Sequence, residues 1–354
     1  MIDRPKEIQT LQAGRAFAAL AVLFYHAEIT LGLPKYIGHE IVPAAKAADS
    51  GVHFFFVISG FIMAYMHAAE PSSLQSFKEF AWKRARRIFP PLWAALTFAL
   101  ALLFVTNHFT LDAAWLSIAS AYFALPQETQ PLLAVEWTLS HELLFYSLFA
   151  VTLLSKKLGY LAIAAWFGLS LTLGVSGYGT PLQTLFSHYN ILFVFGIAAA
   201  ALLRTGFVRF SAAAVAFGII LRVAAWISVA SGKMQSHDLS AVLAFGGADA
   251  LIVFGLAGCE SLYRFSVGKI PKYIGDASYS IYLVHFLFVS AACKLIVVAE
   301  RFIGIPDVVA YMLVVGIGLA GGVVFYECVE RPIMRMTPRS LKRREHLAHS
   351  SHSS

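Results

Sequence analysis

Apolar runs of about 18 or more residues, the length an α-helix needs to cross a bilayer, recur along the chain from Leu11 to Val329. They predict an all-α integral membrane protein with ten transmembrane helices, over 11–33, 51–69, 88–106, 134–155, 158–176, 187–204, 210–230, 241–259, 276–299 and 307–329. A further run over 111–126 is short and contains Asp112, so it is expected to dip into the outer face without crossing. The N-terminal stretch has Arg4 and Lys6 before an apolar run, as a signal peptide would, but Arg15 and His26 interrupt that run and no small-residue cleavage site follows. It reads as an uncleaved first helix. No repeat of fixed period stands out and no soluble domain is expected at either end. Residues 1–335 therefore form one membrane domain, and 336–354 a basic, then Ser- and His-rich tail with the composition of a disordered segment.

Composition agrees: the 354 residues are 58% hydrophobic and 13% charged, against about 25% charged in soluble domains. An ordinary cytosolic enzyme is excluded. A net charge of +7 raises the possibility of a nucleic-acid partner, yet the cations are not gathered on a domain. They lie in short segments between spans, such as Lys78–Arg87, Lys156–Lys157 and Arg331–Arg344. With ten crossings, 20 of the 27 Lys and Arg fall on one side, which the positive-inside rule makes the cytoplasm. Both termini are then cytoplasmic, and the expected location is the inner membrane of a bacterium. No nucleic-acid partner is expected. Cys259, Cys293 and Cys328 lie in or beside apolar runs without metal-ligand spacing, so neither a disulfide nor a metal is expected.

An ionisable group in hydrocarbon is costly unless it is paired or faces a wet cavity. Arg15 and His26, eleven residues apart, are separated by about three helical turns and share one face of the first span. On spacing alone, a snorkelling arginine and a histidine satisfied by a carbonyl are an equally good account. Counting about 1.5 Å per residue from span boundaries puts His26, Ser59, Glu142, Asp249 and His285, from five helices, in one middle slab. Imidazole, carboxylate and hydroxyl at one level are the parts of a general-base site. Asp249 has a simpler reading, as the ion-pair partner of Arg222 on the preceding span.

A second cluster, Lys83, Arg84, Arg86 and Arg87, precedes the third span, with Arg84 and Arg87 on one helical face. Orientation alone accounts for four cations there; paired guanidiniums also suit phosphate oxygens. Arg15 reaches the same inner level below His26. Together these residues describe a tunnel with a polyphosphate held at its cytoplasmic mouth and a base deep inside, a shape suited to a coenzyme A thioester.

These motifs resemble the membrane-bound acyltransferase-3 family. The arginine, ten residues, histidine pattern is Arg15 to His26. Phe55-Phe56-Val57-Ile58-Ser59-Gly60-Phe61, Arg84 with Arg87-Ile88-Phe89-Pro90, and Trp137-Thr138-Leu139-Ser140-His141-Glu142-Leu143-Leu144-Phe145-Tyr146 are similar to its next three, with Thr138 where serine is usual. Ser278-Tyr279-Ser280-Ile281-Tyr282-Leu283-Val284-His285 and Glu330-Arg331-Pro332 complete the order. The resemblance implies acyl transfer, usually of acetyl, from cytoplasmic acyl-CoA to a sugar hydroxyl of a surface glycan or lipid-linked sugar. The chain most resembles the short exopolysaccharide-modifying members, which act beside polysaccharide synthesis machinery and need no tightly bound cofactor.

Under that resemblance Arg15, Arg84 and Arg87 bind the acyl-CoA phosphates, His26 is general base or transient acyl carrier, and Glu142 orients and charge-stabilises His26. Ser59 and Tyr282 are candidate oxyanion donors. His285 and Tyr279 line the acceptor pocket, and Ser278, Tyr282 and His285, at i, i+4 and i+7, are expected to face one cavity. For the tyrosines, helix packing is an equal alternative. A transporter of lipid-linked sugar and a non-catalytic scaffold remain as rival readings of the whole chain.

Overall fold

A computed structural model describes residues 8–105, 115–127, 132–175, 180–263 and 266–336. Arg4, Lys6, Asp112, Arg264 and the predicted tail beyond Met336 lie outside the described residues. Every described element is helical: α1 (Gln9–Leu31), α2 (Gly51–Met66), α3 (Leu74–Val105), α4 (Trp115–Tyr122), α5 (Glu136–Leu154), α6 (Lys156–Leu173), α7 (Pro181–Phe186), α8 (Ile191–Arg204), α9 (Ser211–Ala230), α10 (Leu239–Tyr263), α11 (Lys269–Asp276), α12 (Ser278–Glu300), α13 (Asp307–Phe325) and α14 (Arg331–Arg335).

A helix coincides with each of the ten predicted spans. Seven helical segments among the described residues are long and apolar enough to cross a membrane. The other three are α1, diluted by Gln9, Gln12, Arg15, His26 and Glu28; α6, which opens on Lys156 and Lys157; and the shorter α8. Short α4, at about 12 Å of rise, is what remains of the predicted 111–126 segment among described residues. It packs on α3, where Trp93 Nε1 donates to the Tyr122 carbonyl at 2.8 Å.

The bundle turns its apolar side chains outward as well as inward. Phe217, Ile219, Ile220, Val223 and Ile227 of α9 are all exposed, and an apolar face of that extent is stable only against hydrocarbon or another protein. At the centre, α2 packs against α1, α5, α8 and α10. Its crossing with α8 is set by two glycines: a Cβ on Gly60 would lie 2.0 Å from the Phe193 carbonyl oxygen, and one on Gly196 2.0 Å from that of Val57. Without Cβ atoms the backbones meet, which holds Ser59 at a fixed depth.

Two local features shape the site. Pro90 and Pro91 lie inside α3; lacking N–H groups, they leave the carbonyls of Arg86 and Arg87 without their usual helical donors. After α13 the chain widens into a π-turn over Tyr326–Glu330 just before Pro332. That turn places Glu330, whose carboxylate accepts from Ser280 Oγ on α12.

Loop ends are tied down by carboxylates. Glu28 accepts the backbone N–H groups of Ile41 (2.8 Å) and Val42 (3.0 Å), and Glu260 those of Gln9 (2.9 Å) and Thr10 (2.7 Å). Glu28 is buried and Glu260 half-buried, and both serve as backbone caps rather than as chemistry.

Candidate active site

A cleft opens between α1, α2, α3, α5 and α12. Arg15, Ser59, Arg84, Arg87, Glu142, Tyr279 and Tyr282, all expected from the sequence, line it, joined by Thr138 and Tyr146. The three guanidiniums arrive from two helices. Arg84 and Arg87 share a face of α3, as their i, i+3 spacing requires, and Arg15 comes from α1. Arg15 lies in electrostatic range of Arg87, Glu142 and Glu330, so three cations answer to two carboxylates. The Arg84 guanidinium is held between the rings of Phe80 and Tyr146, 5.6 and 5.4 Å from their centroids, and its buried Nε has no hydrogen-bond partner in the protein. A buried guanidinium with an open donor is a site for an anion.

Glu142 lines the same cleft. Tyr146, one turn later on α5, donates to its Oε1. Ser59 Oγ lies 3.4 Å from that oxygen and 3.2 Å from the Tyr146 hydroxyl. Further along, Tyr282 and Thr138 share a hydrogen bond of 2.9 Å, and Tyr279 donates to the Ile88 carbonyl at 2.9 Å. Tyr282 thus reaches its neighbour's hydroxyl, a group that threonine shares with serine.

His26 is half-buried beside this cleft and does not meet Glu142. Its Nδ1 is 3.0 Å from His285 Nε2 and 3.0 Å from the Val22 carbonyl oxygen. The expectation that Glu142 orients His26 is therefore corrected: the neighbour of the imidazole is His285, and Glu142 is engaged by Tyr146 and Ser59. Two further expectations change. His285 is fully buried against His26 and does not line the cleft, and Ser278, at the start of α12, is fully buried with its Oγ unpartnered. Of the trio at i, i+4 and i+7 only Tyr282 lines the cleft, because a helix face wide enough to hold all three is divided here between the cleft and α1.

The slab of polar residues also divides. Asp249 pairs with Arg222 across α9 and α10, away from the cleft, as the simpler reading had it. Arg222 also donates to the Ser50 carbonyl at 3.2 Å and lies over Phe17, Phe54 and Phe245. Tyr146 and Glu330 lie within the sequence motifs without standing out as site residues; the i, i+4 spacing of Glu142 and Tyr146 is the available signal for the first.

Comparison with known proteins follows the same residues. The acyltransferase domain pattern matches residues 8–327, which contain every residue of the cleft. The chain belongs to the acyltransferase-3 family. It is 31% identical over 329 residues to the exopolysaccharide production protein ExoZ of Rhizobium meliloti (strain 1021), covering 89% of this chain and 95% of that one. No solved structure matches it. As a family member with many apolar helices, the chain is a multi-pass membrane acyltransferase.

Proposed function

We propose that the protein is an O-acyltransferase of the bacterial inner membrane that moves an acetyl group from cytoplasmic acetyl-CoA to a sugar hydroxyl of an exopolysaccharide or its lipid-linked precursor. The observation that carries this reading is the convergence of Arg15, Arg84 and Arg87 on one cleft that leads past Glu142 to Tyr282, behind which stand His285 and His26. Ten crossings with both termini cytoplasmic put the arginines at the inner mouth, where the CoA phosphates enter. The similarity to an exopolysaccharide production protein supports a polysaccharide acceptor, and with it work beside the polysaccharide synthesis machinery.

In this mechanism His26 takes the proton of the acceptor hydroxyl as its oxygen attacks the thioester carbonyl. Tyr282 is the donor to the charge that develops on the carbonyl oxygen, its hydroxyl hydrogen turning there from Thr138, whose own hydrogen is held by the Val135 carbonyl. Collapse breaks the carbon–sulfur bond, and the CoA thiolate takes the proton from His26. The products are the sugar ester and free CoA. Family membership favours this reading over the transporter and the scaffold, neither of which uses a thioester.

The test is reconstitution of the purified protein in vesicles with radiolabelled acetyl-CoA and the host glycan. Alkali-labile label on the glycan, lost in His26→Ala and Arg84→Ala, supports it. Movement of lipid-linked sugar with no consumption of acetyl-CoA overturns it.

A further inference from the structure

The two imidazoles where α1 meets α12 have a fixed order of protons, and it extends the role given above to His26, on which it rests. His285 Nδ1 lies 2.7 Å from the carbonyl oxygen of Tyr282 and 3.1 Å from that of Ile281. A carbonyl oxygen only accepts, so this nitrogen carries a hydrogen. A neutral imidazole has one N–H, so His285 Nε2 holds a lone pair. That lone pair faces His26 Nδ1 at 3.0 Å, and the second neighbour of the same Nδ1 is the Val22 carbonyl oxygen, also at 3.0 Å. Two acceptors and no donor surround His26 Nδ1, so it carries the hydrogen. The reactive lone pair is then on His26 Nε2.

We propose that His285 is the positioning residue that sets the tautomer of His26 and so makes Nε2 the atom that takes the acceptor proton. The arrangement does what a carboxylate does in a serine-type triad, with a neutral ring as third member. When His26 Nε2 gains its proton, the Nδ1–H bond to His285 becomes charge-assisted, and His285, fully buried, has no water to compete for its lone pair. The rings of Tyr25 and Phe286 stand edge-on to His26 at centroid distances of 5.0 and 5.5 Å and limit its rotation. A transient acyl-histidine would need the same bare Nε2, so the tautomer serves either course.

Two measurements test this. In the unmodified protein, labelled with ¹⁵N-histidine and with His26 assigned by comparison with His26→Gln, the ¹⁵N spectrum is expected to show His26 protonated at Nδ1 and bare at Nε2. The opposite tautomer overturns the proposal. In kinetics, His285→Leu removes the acceptor but leaves Val22, so kcat is expected to fall about 10- to 100-fold, less than the loss on disabling a triad aspartate, with KM for acetyl-CoA unchanged. His285→Gln, whose Oε1 reaches the place of Nε2, is expected to recover most of the rate. Wild-type kcat in His285→Leu, or equal losses in both variants, overturns the proposal. If the wild type transfers no acyl group, the acyltransferase reading fails, and the ¹⁵N tautomer of the unmodified protein still decides the role of His285.

Discussion

Tyr146 donates its hydroxyl hydrogen to the Glu142 carboxylate one turn before it on α5, and Ser59 of α2 lies within reach of both groups. The carboxylate thereby stands as a counter-charge to Arg15 and Arg84, and under the proposed mechanism it belongs to donor binding and not to proton transfer. Tyr146→Phe removes a hydrogen bond to a charged group, worth about 1.5–3 kcal/mol. The expected result is a rise of about ten-fold or more in KM for acetyl-CoA with kcat nearly unchanged. A loss confined to kcat would instead put Glu142 at the reacting atoms.

The guanidiniums of Arg84 and Arg87 differ from lysines in offering planar, bidentate forks to phosphate. Arg84→Ala and Arg87→Ala are each expected to raise KM for acetyl-CoA by at least about ten-fold, the equivalent of a charge-assisted bond. Arg84→Lys, which keeps the charge but loses both the fork and the seat between Phe80 and Tyr146, should recover little of it. A wild-type KM in all three variants would remove the phosphate role. Steady-state kinetics in vesicles, with inhibition by free CoA as a second readout, decides the matter.

The helices were legible because apolar length is a strong signal, and each predicted span coincides with one. The Arg222–Asp249 pair was legible for the same physical reason: a charge in hydrocarbon needs a partner, and the two lie on consecutive spans. His26 is the contrary case. Counting residues along a helix gives depth but not the direction a side chain faces across the bundle, so Glu142 and His285 were both at the right level and only one of them touches His26. Ser278 misled similarly, since helical spacing defines a face without saying which neighbour covers each turn of it. Glu28 passed unnoticed because its work is done on backbone N–H groups that follow it in a loop, where sequence carries no pairing signal.

The pair between Arg222 and Asp249 is buried on both sides. Breaking it by Asp249→Leu leaves an uncompensated guanidinium, a loss of about 3–5 kcal/mol where such pairs have been cut. Thermal unfolding of the detergent-solubilised protein is expected to shift down strongly, and Arg222→Met combined with Asp249→Leu should regain much of the loss. Because the pair lies away from the cleft, KM for acetyl-CoA should stay near its wild-type value in the double variant. A double variant no more stable than Asp249→Leu alone would mean that the pair contributes more than mutual neutralisation.

Topology is open to direct measurement. In a background lacking Cys259, Cys293 and Cys328, single cysteines at Lys78, Lys156 and Lys272 are expected to resist an impermeant thiol reagent applied to intact cells, and one at Lys233 to react. Reaction at Lys78 would put Arg84 and Arg87 on the outer side, away from the cytoplasmic CoA pool.

The crossing of α2 and α8 makes the last prediction, since it joins backbone geometry to the site. Adding a methyl at Gly60 brings it to 2.0 Å from the Phe193 carbonyl oxygen, a contact that only separation of the helices relieves. Overpacking of this kind costs about 1–3 kcal/mol, and the displaced backbone includes Ser59. Gly60→Ala should therefore lower both the unfolding temperature and acetyl transfer, with Gly196→Ala behaving alike because its methyl meets the Val57 carbonyl from the other side. Gly247 on α10 has nothing within 4 Å of an added Cβ, so Gly247→Ala is the matched control and should leave both readouts unchanged or slightly raised by better helix propensity. Were Gly60→Ala as active and stable as that control, close backbone contact would not be what fixes the depth of Ser59.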